Sequence, residues 1–349
     1  MKKHIKGNPL KKVLIIVLVI ESVLIFGAFK MIDDDQYAQV LAMYDATFQR
    51  VDTKLPFLKK VEDFQDLKVE ECTFPSNNGQ KIAGYKYYKD HLDPKGVLII
   101  AHGLGLGGQC AYMDTANFFA SNGYLVFAYD VTGMDKSEGN SANGMEQGII
   151  DLSYAINYVE HDNEMGKYPI ALFGHSWGGY SVGAVLNEHP EVKAVVSVSG
   201  FNKPSEWYSY ALQDQAGILL PYFEQIEKNK FGKYADYSAV DGFANTQAGI
   251  MIIQSKDDQN VPTFTGYDKY YERFKDDPRF TFKLYEDKGH LFIFYTKAAR
   301  AYNLKFVVET TGQPTEYGKA NMDSFDKKIG NEIDQDFYKN ILEFLNKYL

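Results

Sequence analysis

The chain has 349 residues, 45% of them hydrophobic and 15% aromatic, and its formal net charge is −9. This composition excludes a disordered chain and provides enough apolar material for one large core. The negative charge argues against a nucleic-acid partner, because phosphate binding requires a positive face. Two cysteines, Cys72 and Cys110, are too few for a disulfide framework or a zinc site, although a single bridge stays open as an alternative outside the cell.

The first predicted element is a transmembrane helix at residues 13–30, preceded by a basic segment at residues 1–12. Glu21 near its centre costs about 3 kcal/mol on insertion, but the surrounding Val, Leu, Ile and Phe side chains contribute roughly 6 kcal/mol in favour of it. Lysines before the helix and the aspartates at 33–35 predict a single-pass protein of the cell membrane, with a cytoplasmic N-terminus and an extracytoplasmic domain. The alternatives are a cleaved signal peptide, which would leave a secreted protein, and a buried core helix.

A polar segment at residues 31–65 is predicted to be a helical stalk, or an arm packed on the domain at residues 66–349. In that domain short apolar runs alternate with helical stretches. Most of the runs are continuously apolar, which indicates burial on both faces of a parallel sheet. The predicted strands occupy residues 66–74, 81–88, 96–102, 124–130, 169–175, 193–199, 249–255 and 280–286. The sequence therefore predicts an α/β fold with a mostly parallel, eight-stranded sheet and helices on both faces.

A serine stands among glycines at the end of the fifth predicted strand. Gly174, His175, Ser176, Trp177 and Gly178 form the pattern G-x-S-x-G between a buried strand and a helix. In such a turn the glycines avoid clashes between neighbouring Cβ atoms, and the strained backbone exposes the serine hydroxyl at the top of the sheet. The pattern predicts a nucleophilic serine; the alternative is an ordinary tight strand-to-helix turn.

A base must take the proton from the Ser176 hydroxyl, and a histidine later in the chain is expected to do so. His189 lies at the far end of the helix that the serine begins, about 18 Å away. His290 follows the last predicted strand and lies at the same edge of the sheet as the serine. We therefore predict that His290 is the base.

The base needs a carboxylate that fixes its tautomer and stabilises its charge. Asp257 and Asp258 directly follow the strand at residues 249–255, and this position does not distinguish between them. The acid that is not used is expected to be a solvated turn residue.

Attack on a carbonyl creates an oxyanion, which backbone N–H groups must stabilise. One donor is expected at Trp177, the residue after the serine. The other is predicted at Leu104, in the glycine-rich loop that follows the strand at residues 96–102. A phosphate-binding loop is the alternative for so many glycines, but the sequence there lacks the lysine and the serine or threonine of a P-loop.

Four short motifs occur in the order that is typical of α/β-hydrolases, namely His102-Gly103, Gly174 to Gly179, Asp258 to Pro262, and Gly289-His290. From about residue 66 to the last residue the chain resembles this superfamily. Within it, the chain is similar to the branch of monoacylglycerol-lipase-like esterases and serine-aminopeptidase-like hydrolases. The resemblance implies an α/β-hydrolase fold, and it favours Asp258, which opens the pattern D-x-x-V-P, as the acid of a triad with Ser176 and His290.

One motif departs from the family pattern. Where the family commonly has D-x-R-G-x-G-x-S, residues 130–137 have Thr132 in place of the arginine and Asp135 in place of the second glycine. That loop is usually structural, so we expect its contacts, rather than the triad, to differ from those of the family.

We expect a membrane-anchored serine hydrolase that cleaves carboxylic esters of a small-molecule or lipid-like acyl substrate without a cofactor or a metal ion. An amide hydrolase similar to serine aminopeptidases or acylaminoacyl peptidases is the alternative, and an unpaired acid at Glu206 or Asp214 would favour it. A non-catalytic binding protein on a hydrolase scaffold is the alternative of another class. Residues 201–247 are predicted to form a helical lid, whose aromatic side chains either line an acyl pocket or form the lid's own core. Residues 291–333 are expected to cover the site.

Overall fold

A computed structural model describes residues 34–53, 57–90, 93–105 and 107–349. The transmembrane helix predicted at residues 13–30 and the basic segment before it lie outside this part of the chain. In the part that is described, the helices are too short or too polar to cross a bilayer.

Within the described residues, eight strands form one sheet in the order β1-β2-β4-β3-β5-β6-β7-β8. The strands are β1 (Lys68–Pro75), β2 (Lys81–Tyr88), β3 (Val97–Ala101), β4 (Leu125–Tyr129), β5 (Ile170–His175), β6 (Ala194–Val198), β7 (Gly249–Ser255) and β8 (Phe280–Tyr285). The pairs β1–β2 and β2–β4 are antiparallel, and the remaining pairs are parallel. The predicted mostly parallel, eight-stranded sheet is therefore confirmed.

The central strands are buried on both sides, which explains their unbroken apolar runs. In β3, Val97, Ile99 and Ala101 pack into the core on one face of the sheet. The alternate residues, Leu98 and Ile100, pack into the core on the other face. Because successive side chains of a strand point to opposite faces, a strand between two cores needs an apolar residue at every position.

Helices cover both faces of the sheet. In chain order the helices are α1 (Asp34–Thr47), α2 (Met113–Ala120), α3 (Gln147–His161), α4 (Trp177–Ala184), α5 (Pro204–Leu212), α6 (Ala216–Phe231), α7 (Ala239–Ala244), α8 (Tyr267–Phe274), α9 (Lys297–Phe306), α10 (Glu316–Asn321), α11 (Lys327–Gly330) and α12 (Gln335–Tyr348). Buried side chains of α3, α4, α7 and α8 belong to the first core. Those of α2 and α12 belong to the second.

The segment at residues 201–247, between β6 and β7, forms α5, α6 and α7. Helix α1, in the segment for which a stalk or a packed arm was predicted, packs against α6. The Tyr44 ring meets the Phe223 ring edge to face, with centroids 5.3 Å apart, and the Tyr222 hydroxyl donates to Gln36 Oε1 at 2.9 Å. The described part of the segment at residues 31–65 thus lies on the domain at the position of α6.

The long interval at residues 291–333 forms α9, α10 and α11, with a small apolar cluster of its own. Phe292, Phe306 and Val307 of this interval pack with Phe57. The interval begins directly after His290, so it is positioned to act on the loop that carries this histidine.

Candidate active site

Ser176 lies at the sharp turn between β5 and α4. Its φ is 58° and its ψ is −117°, a strained combination for a residue with a Cβ atom. A Cβ atom at Gly174 would lie 2.1 Å from the carbonyl oxygen of Gly178, and one at Gly178 would lie 2.0 Å from that of Ala101. The two glycines of the pattern are therefore required by close approach of backbone, as the motif predicts. Ser176 itself is partly exposed, although its neighbours on both sides are buried.

The described structure brings His290 to the hydroxyl of Ser176. His290 Nε2 lies 2.9 Å from Ser176 Oγ, and His290 Nδ1 lies 2.7 Å from Asp258 Oδ2. Because the carboxylate can only accept, Nδ1 carries the proton and Nε2 is left to accept from the serine. The three predicted residues thus form one hydrogen-bonded row, in which the imidazole and the carboxylate are buried.

Asp258 is held by its own loop in addition to the histidine. Its second oxygen, Oδ1, accepts the backbone N–H groups of Asn260 at 2.9 Å and Val261 at 2.8 Å. These bonds stabilise the charged carboxylate and fix its direction. They also give a physical reason for the pattern D-x-x-V-P, because the loop must turn back on the aspartate.

Asp257, the neighbour of Asp258, serves a different part of the site. Its Oδ1 accepts the N–H of Gly289 at 2.8 Å, and its Oδ2 accepts from Arg300 Nη2 at 2.9 Å. Arg300 also donates to Glu309 Oε2 at 2.7 Å, and Glu309 Oε1 accepts the N–H of His290 at 3.1 Å. The expectation that Asp257 is a solvated turn residue is therefore wrong, because it holds the loop of the histidine.

Sequence reasoning missed Arg300 and Glu309. Both lie in the interval at residues 291–333, outside every motif that we identified. A signal existed in the unusual length of this interval, but the length alone does not indicate which side chains turn back to the His290 loop.

The oxyanion loop, which we define as residues 103–105 and 107–109, lies against Ser176. A Cβ atom at Gly103 would be 3.3 Å from the Cβ of Ser176, and Leu104, one of the predicted donors, is the next residue. Trp177, the other, is the first residue of α4, so its N–H belongs to the groups at a helix start that lack an intrahelical partner. His102 fixes the start of the loop, because its Nε2 accepts the N–H of Val131 at 3.0 Å. Burial lowers the pKa of His102, which keeps this nitrogen free to accept.

A buried row of hydrogen bonds joins the oxyanion loop to the His290 loop. The N–H of Gly103 donates to the Tyr112 hydroxyl at 2.9 Å, and this hydroxyl lies 2.9 Å from His175 Nδ1. His175 Nε2 lies 3.1 Å from the carbonyl oxygen of His290. Since a carbonyl oxygen only accepts, His175 is protonated on Nε2, and the Tyr112 hydroxyl donates to Nδ1. Burial and the neighbouring His290 lower the pKa of His175 well below its ordinary value, so this ring is neutral.

His189 lies elsewhere, as expected. Its Nε2 contacts Ser153 Oγ at 2.8 Å, and its Nδ1 contacts Glu191 Oε1 at 3.0 Å. Glu160, His189 and Glu191 form the one group of the described residues whose ligand atoms are close enough to share a metal ion. Both ring nitrogens of His189 already have protein partners, so the group is explained without an ion.

Comparison with known proteins shows which families the chain resembles. Residues 92–240 match a family described as "Serine aminopeptidase, S33". Monoglyceride lipase of Rattus norvegicus is 32% identical over 97 residues, which cover 27% of this chain and 31% of that protein. Monoacylglycerol lipase of Mycolicibacterium smegmatis is 27% identical over 132 residues, which cover 37% of this chain and 46% of that protein. The chain therefore spans less than half the length of these curated relatives.

Solved structures share the fold over most of this chain at low identity. The Pyrococcus furiosus esterase Pf2001 superposes with a TM-score of 0.54 at 17% identity, over 70% of this chain and 91% of the esterase. Acetyl xylan esterase 1 of Thermoanaerobacterium superposes with a TM-score of 0.51 at 19% identity, over 78% of this chain and 92% of that protein. The fold is thus that of an α/β-hydrolase. The predicted resemblance is confirmed: the chain is similar to monoglyceride lipases and to the serine aminopeptidase family.

Proposed function

We propose that this protein is a serine hydrolase that cleaves carboxylic esters through an acyl-enzyme intermediate. The observation that carries the proposal is the row Ser176–His290–Asp258, with hydrogen-bond distances of 2.9 Å and 2.7 Å. A serine hydroxyl becomes nucleophilic when a positioned base takes its proton, and the base here is oriented by a buried carboxylate. The curated relatives are named as lipases, which supports an ester substrate. The matched family is named for a serine aminopeptidase, which corresponds to the amide alternative.

In the acylation step, Ser176 Oγ attacks the carbonyl carbon of the ester, and its proton passes to His290 Nε2. The carbonyl oxygen becomes an oxyanion, which the N–H groups of Leu104 and Trp177 stabilise. Asp258 stabilises the imidazolium that has formed. The C–O bond of the tetrahedral intermediate then breaks, and His290 returns the proton to the leaving alcohol.

In the deacylation step, His290 takes a proton from a water molecule whose oxygen attacks the acyl carbon. A second tetrahedral intermediate forms at the same two N–H donors. Its collapse releases the carboxylic acid and returns the proton to Ser176 Oγ.

The environment of Glu206 supports esters over peptides with a free amino terminus. An aminopeptidase would need an acid available to pair with the substrate ammonium group. Glu206 Oε1 already pairs with Lys269 Nζ at 3.1 Å, and its Oε2 accepts from Asn202 at 3.1 Å. Asp214, the other candidate, is exposed, and its side chain has no ion pair with another described residue, so it is the acid on which the peptidase alternative depends.

We propose that residues 201–247 are a lid, which is hydrogen-bonded to the loop that carries Asp258. Trp207 Nε1 donates to the carbonyl of Asn260 at 2.9 Å, and the Tyr210 hydroxyl donates to that of Gln259 at 2.8 Å. Tyr208 and Phe223 are buried against each other, with ring centroids 5.1 Å apart. These contacts favour the alternative in which the aromatic side chains form the lid's own core.

Anchoring to the cell membrane through residues 13–30, with the hydrolase domain outside, is also a proposal, supported by the sequence pattern alone. Alkaline carbonate extraction of membranes from cells that express the full chain tests it. Retention in the membrane pellet is expected, and release into the supernatant would contradict the anchor.

The central experiment compares two serine variants of the purified full chain. Ser176→Ala is expected to lower hydrolysis of p-nitrophenyl butyrate by at least about 10³-fold. Ser121→Ala, at an exposed site after α2, is the matched control and is expected to keep full activity. Labelling by a fluorophosphonate probe should be lost in Ser176→Ala alone, and circular dichroism should show the same fold in all three proteins.

Each alternative predicts a different result. Full ester hydrolysis by Ser176→Ala would remove the serine from the mechanism. Faster cleavage of leucine p-nitroanilide than of the ester would favour the peptidase. A folded wild-type chain that reacts with neither substrate and takes no label would be the non-catalytic binding protein.

A further inference from the structure

The loop that departs from the family pattern contains a strained residue. Asp135, where the family commonly has glycine, adopts a φ of 44°. A residue with a Cβ atom is strained in this left-handed conformation, and glycine would avoid the strain. The aspartate must therefore gain contacts that glycine could not make.

The carboxylate of Asp135 bridges two separate parts of the chain. Its Oδ1 accepts the backbone N–H of Thr53 at 2.5 Å, and its Oδ2 accepts the Thr53 hydroxyl at 2.7 Å. The same Oδ2 accepts the N–H of Gly108, in the oxyanion loop, at 2.9 Å. Asp135 thus joins the segment before the domain to the loop that carries Leu104.

Residues 48–53, which we call the strap, are bound along the whole loop after β4. Arg50 Nη1 donates to the carbonyls of Ser137 and Gly139, at 2.9 Å each, and Arg50 Nη2 donates to that of Asp135. Val51 adds backbone bonds in both directions, to Gly133 at 3.1 Å and from Asp135 at 3.0 Å. In this chain a guanidinium from the strap therefore lies on the loop in which Thr132 replaces the family's arginine.

The strap also touches the oxyanion loop directly. A Cβ atom at Gly107 would lie 2.6 Å from Thr53 Oγ1, and the φ of Gly107 is +133°. The far end of this loop is held at Gly108 by Asp135 and at Gln109, whose N–H donates to Asp130 Oδ1 at 3.0 Å. Its near end is held at Gly103 by Tyr112. The direction of the Leu104 N–H therefore depends on anchors at both ends.

We propose that the strap fixes the oxyanion loop through Asp135, which is a positioning residue for the oxyanion donor at Leu104. The catalytic part of this inference rests on the proposed function. The mechanical part, the hold of the strap on the loop, does not depend on it.

The test uses Asp135→Gly in the full chain, which restores the family residue, relieves the backbone strain and removes the bridge. Relative to wild type, kcat for p-nitrophenyl butyrate, normalised to the sites labelled by fluorophosphonate, is expected to fall about tenfold. The affinity for a trifluoromethyl ketone, whose adduct carries the oxyanion charge, should fall by a similar factor, while KM changes less than twofold. A purely structural role would lower the number of labelled sites and leave the normalised kcat unchanged.

Two sets of variants control this comparison. Asn143→Gly relieves the backbone strain at a second left-handed residue of the same region, whose φ is 62°. This variant is expected to keep wild-type kinetics. Thr53→Val removes the hydroxyl that bonds Asp135 and should lower kcat. Thr53→Ser retains the hydroxyl and should keep the wild-type kcat. Wild-type normalised kcat and ketone affinity in Asp135→Gly would overturn the positioning role.

Hydrogen–deuterium exchange provides a readout that needs no catalysis. Peptides that cover residues 103–112 should exchange faster in Asp135→Gly than in wild type or Asn143→Gly. Unchanged exchange would overturn the inference whether or not the protein is an enzyme. Faster exchange in a chain that neither hydrolyses esters nor takes a label would contradict the proposed function and support the strap.

Discussion

The rings of His175 and His290 lie side by side, with centroids 4.9 Å apart. His175, the residue before the nucleophile, donates from Nε2 to the backbone carbonyl of His290 at 3.1 Å. The same ring accepts from Tyr112, which in turn accepts the N–H of Gly103. One neutral, buried imidazole therefore fixes the backbone of both the His290 loop and the oxyanion loop.

Tyr112→Phe is expected to lower the free energy of unfolding by about 1–3 kcal/mol. The change leaves the N–H of Gly103 and Nδ1 of His175 without their partner in a buried site, where an unsatisfied polar group is costly. Urea unfolding measures the effect. Tyr124→Phe is the control, since the Tyr124 hydroxyl has one partly buried partner, Asn346, and its loss should cost less than about 1 kcal/mol. Equal losses of unfolding free energy in the two variants would show that the hydrogen bonds from Gly103 to His175 stabilise the fold no more than the bond of Tyr124 does.

Asp258→Asn is expected to lower kcat for ester hydrolysis by about 10³–10⁴-fold. An amide in place of the carboxylate can donate to the imidazole, which favours the tautomer that is unable to accept from Ser176. Asp257→Asn, the adjacent variant, should lower kcat by less than about 10-fold, because Asp257 holds the N–H of Gly289 rather than the ring. Steady-state kinetics on p-nitrophenyl butyrate distinguishes them, and the reverse order would assign the acid to Asp257.

Arg300→Gln is expected to loosen the His290 loop and to lower kcat by about tenfold. Arg300 pairs with Asp257 at 2.9 Å and with Glu309 at 2.7 Å, and each of these acids holds a backbone N–H of Gly289 or His290. Lys297→Gln is the matched control from the same helix, because its ion pair with Asp287 is exposed to solvent and should contribute little to stability. Steady-state kinetics measures kcat, and thermal unfolding in parallel measures stability. Wild-type kcat in Arg300→Gln would limit this cluster to a structural role.

Glu227→Gln is expected to flatten the pH dependence of stability. Burial raises the pKa of Glu227 to about 7 from 4.5, and burial together with Glu227 raises that of Glu146. Between pH 4.5 and 7 the folded state keeps a proton that the unfolded state releases. The free energy of unfolding therefore falls as pH rises, by at most about 1.4 kcal/mol per pH unit for each such proton. Above about pH 7 Glu227 is ionised in both states, so it causes no further fall in the free energy of unfolding.

The groups around this carboxyl are Tyr44 of α1, Tyr208 of α5, Glu146 before α3 and Glu224 of its own helix, while Lys203 acts on Glu146. Thermal unfolding at pH 5 and pH 8 measures how strongly stability depends on pH. Glu224→Gln, at an exposed position of α6, should keep the wild-type slope. A wild-type slope in Glu227→Gln would show that other buried carboxyls, such as Asp151 with its raised pKa, dominate.

The sheet and the turn at Ser176 were predictable because their signals are local. A strand between two cores is apolar at every position, and a turn that brings Gly178 within contact of Ala101 tolerates no side chain at Gly178. The contacts of Arg300 and Asp135 were not predictable, because each joins segments far apart in the chain. Arg300 lies 43 residues from Asp257, and Asp135 lies 82 residues from Thr53.

By itself, the sequence determined the order of strands and helices, the serine at its glycine turn, and the histidine after the last strand. Their position after the same strand left Asp257 and Asp258 equivalent, and only the resemblance in the pattern D-x-x-V-P favoured Asp258. Only the tertiary structure decided that Asp258 lies against the His290 ring while Asp257 holds the backbone of Gly289. The reason is geometric: neighbouring side chains at the end of a strand point in different directions, and the partners that each one meets are supplied by distant parts of the chain.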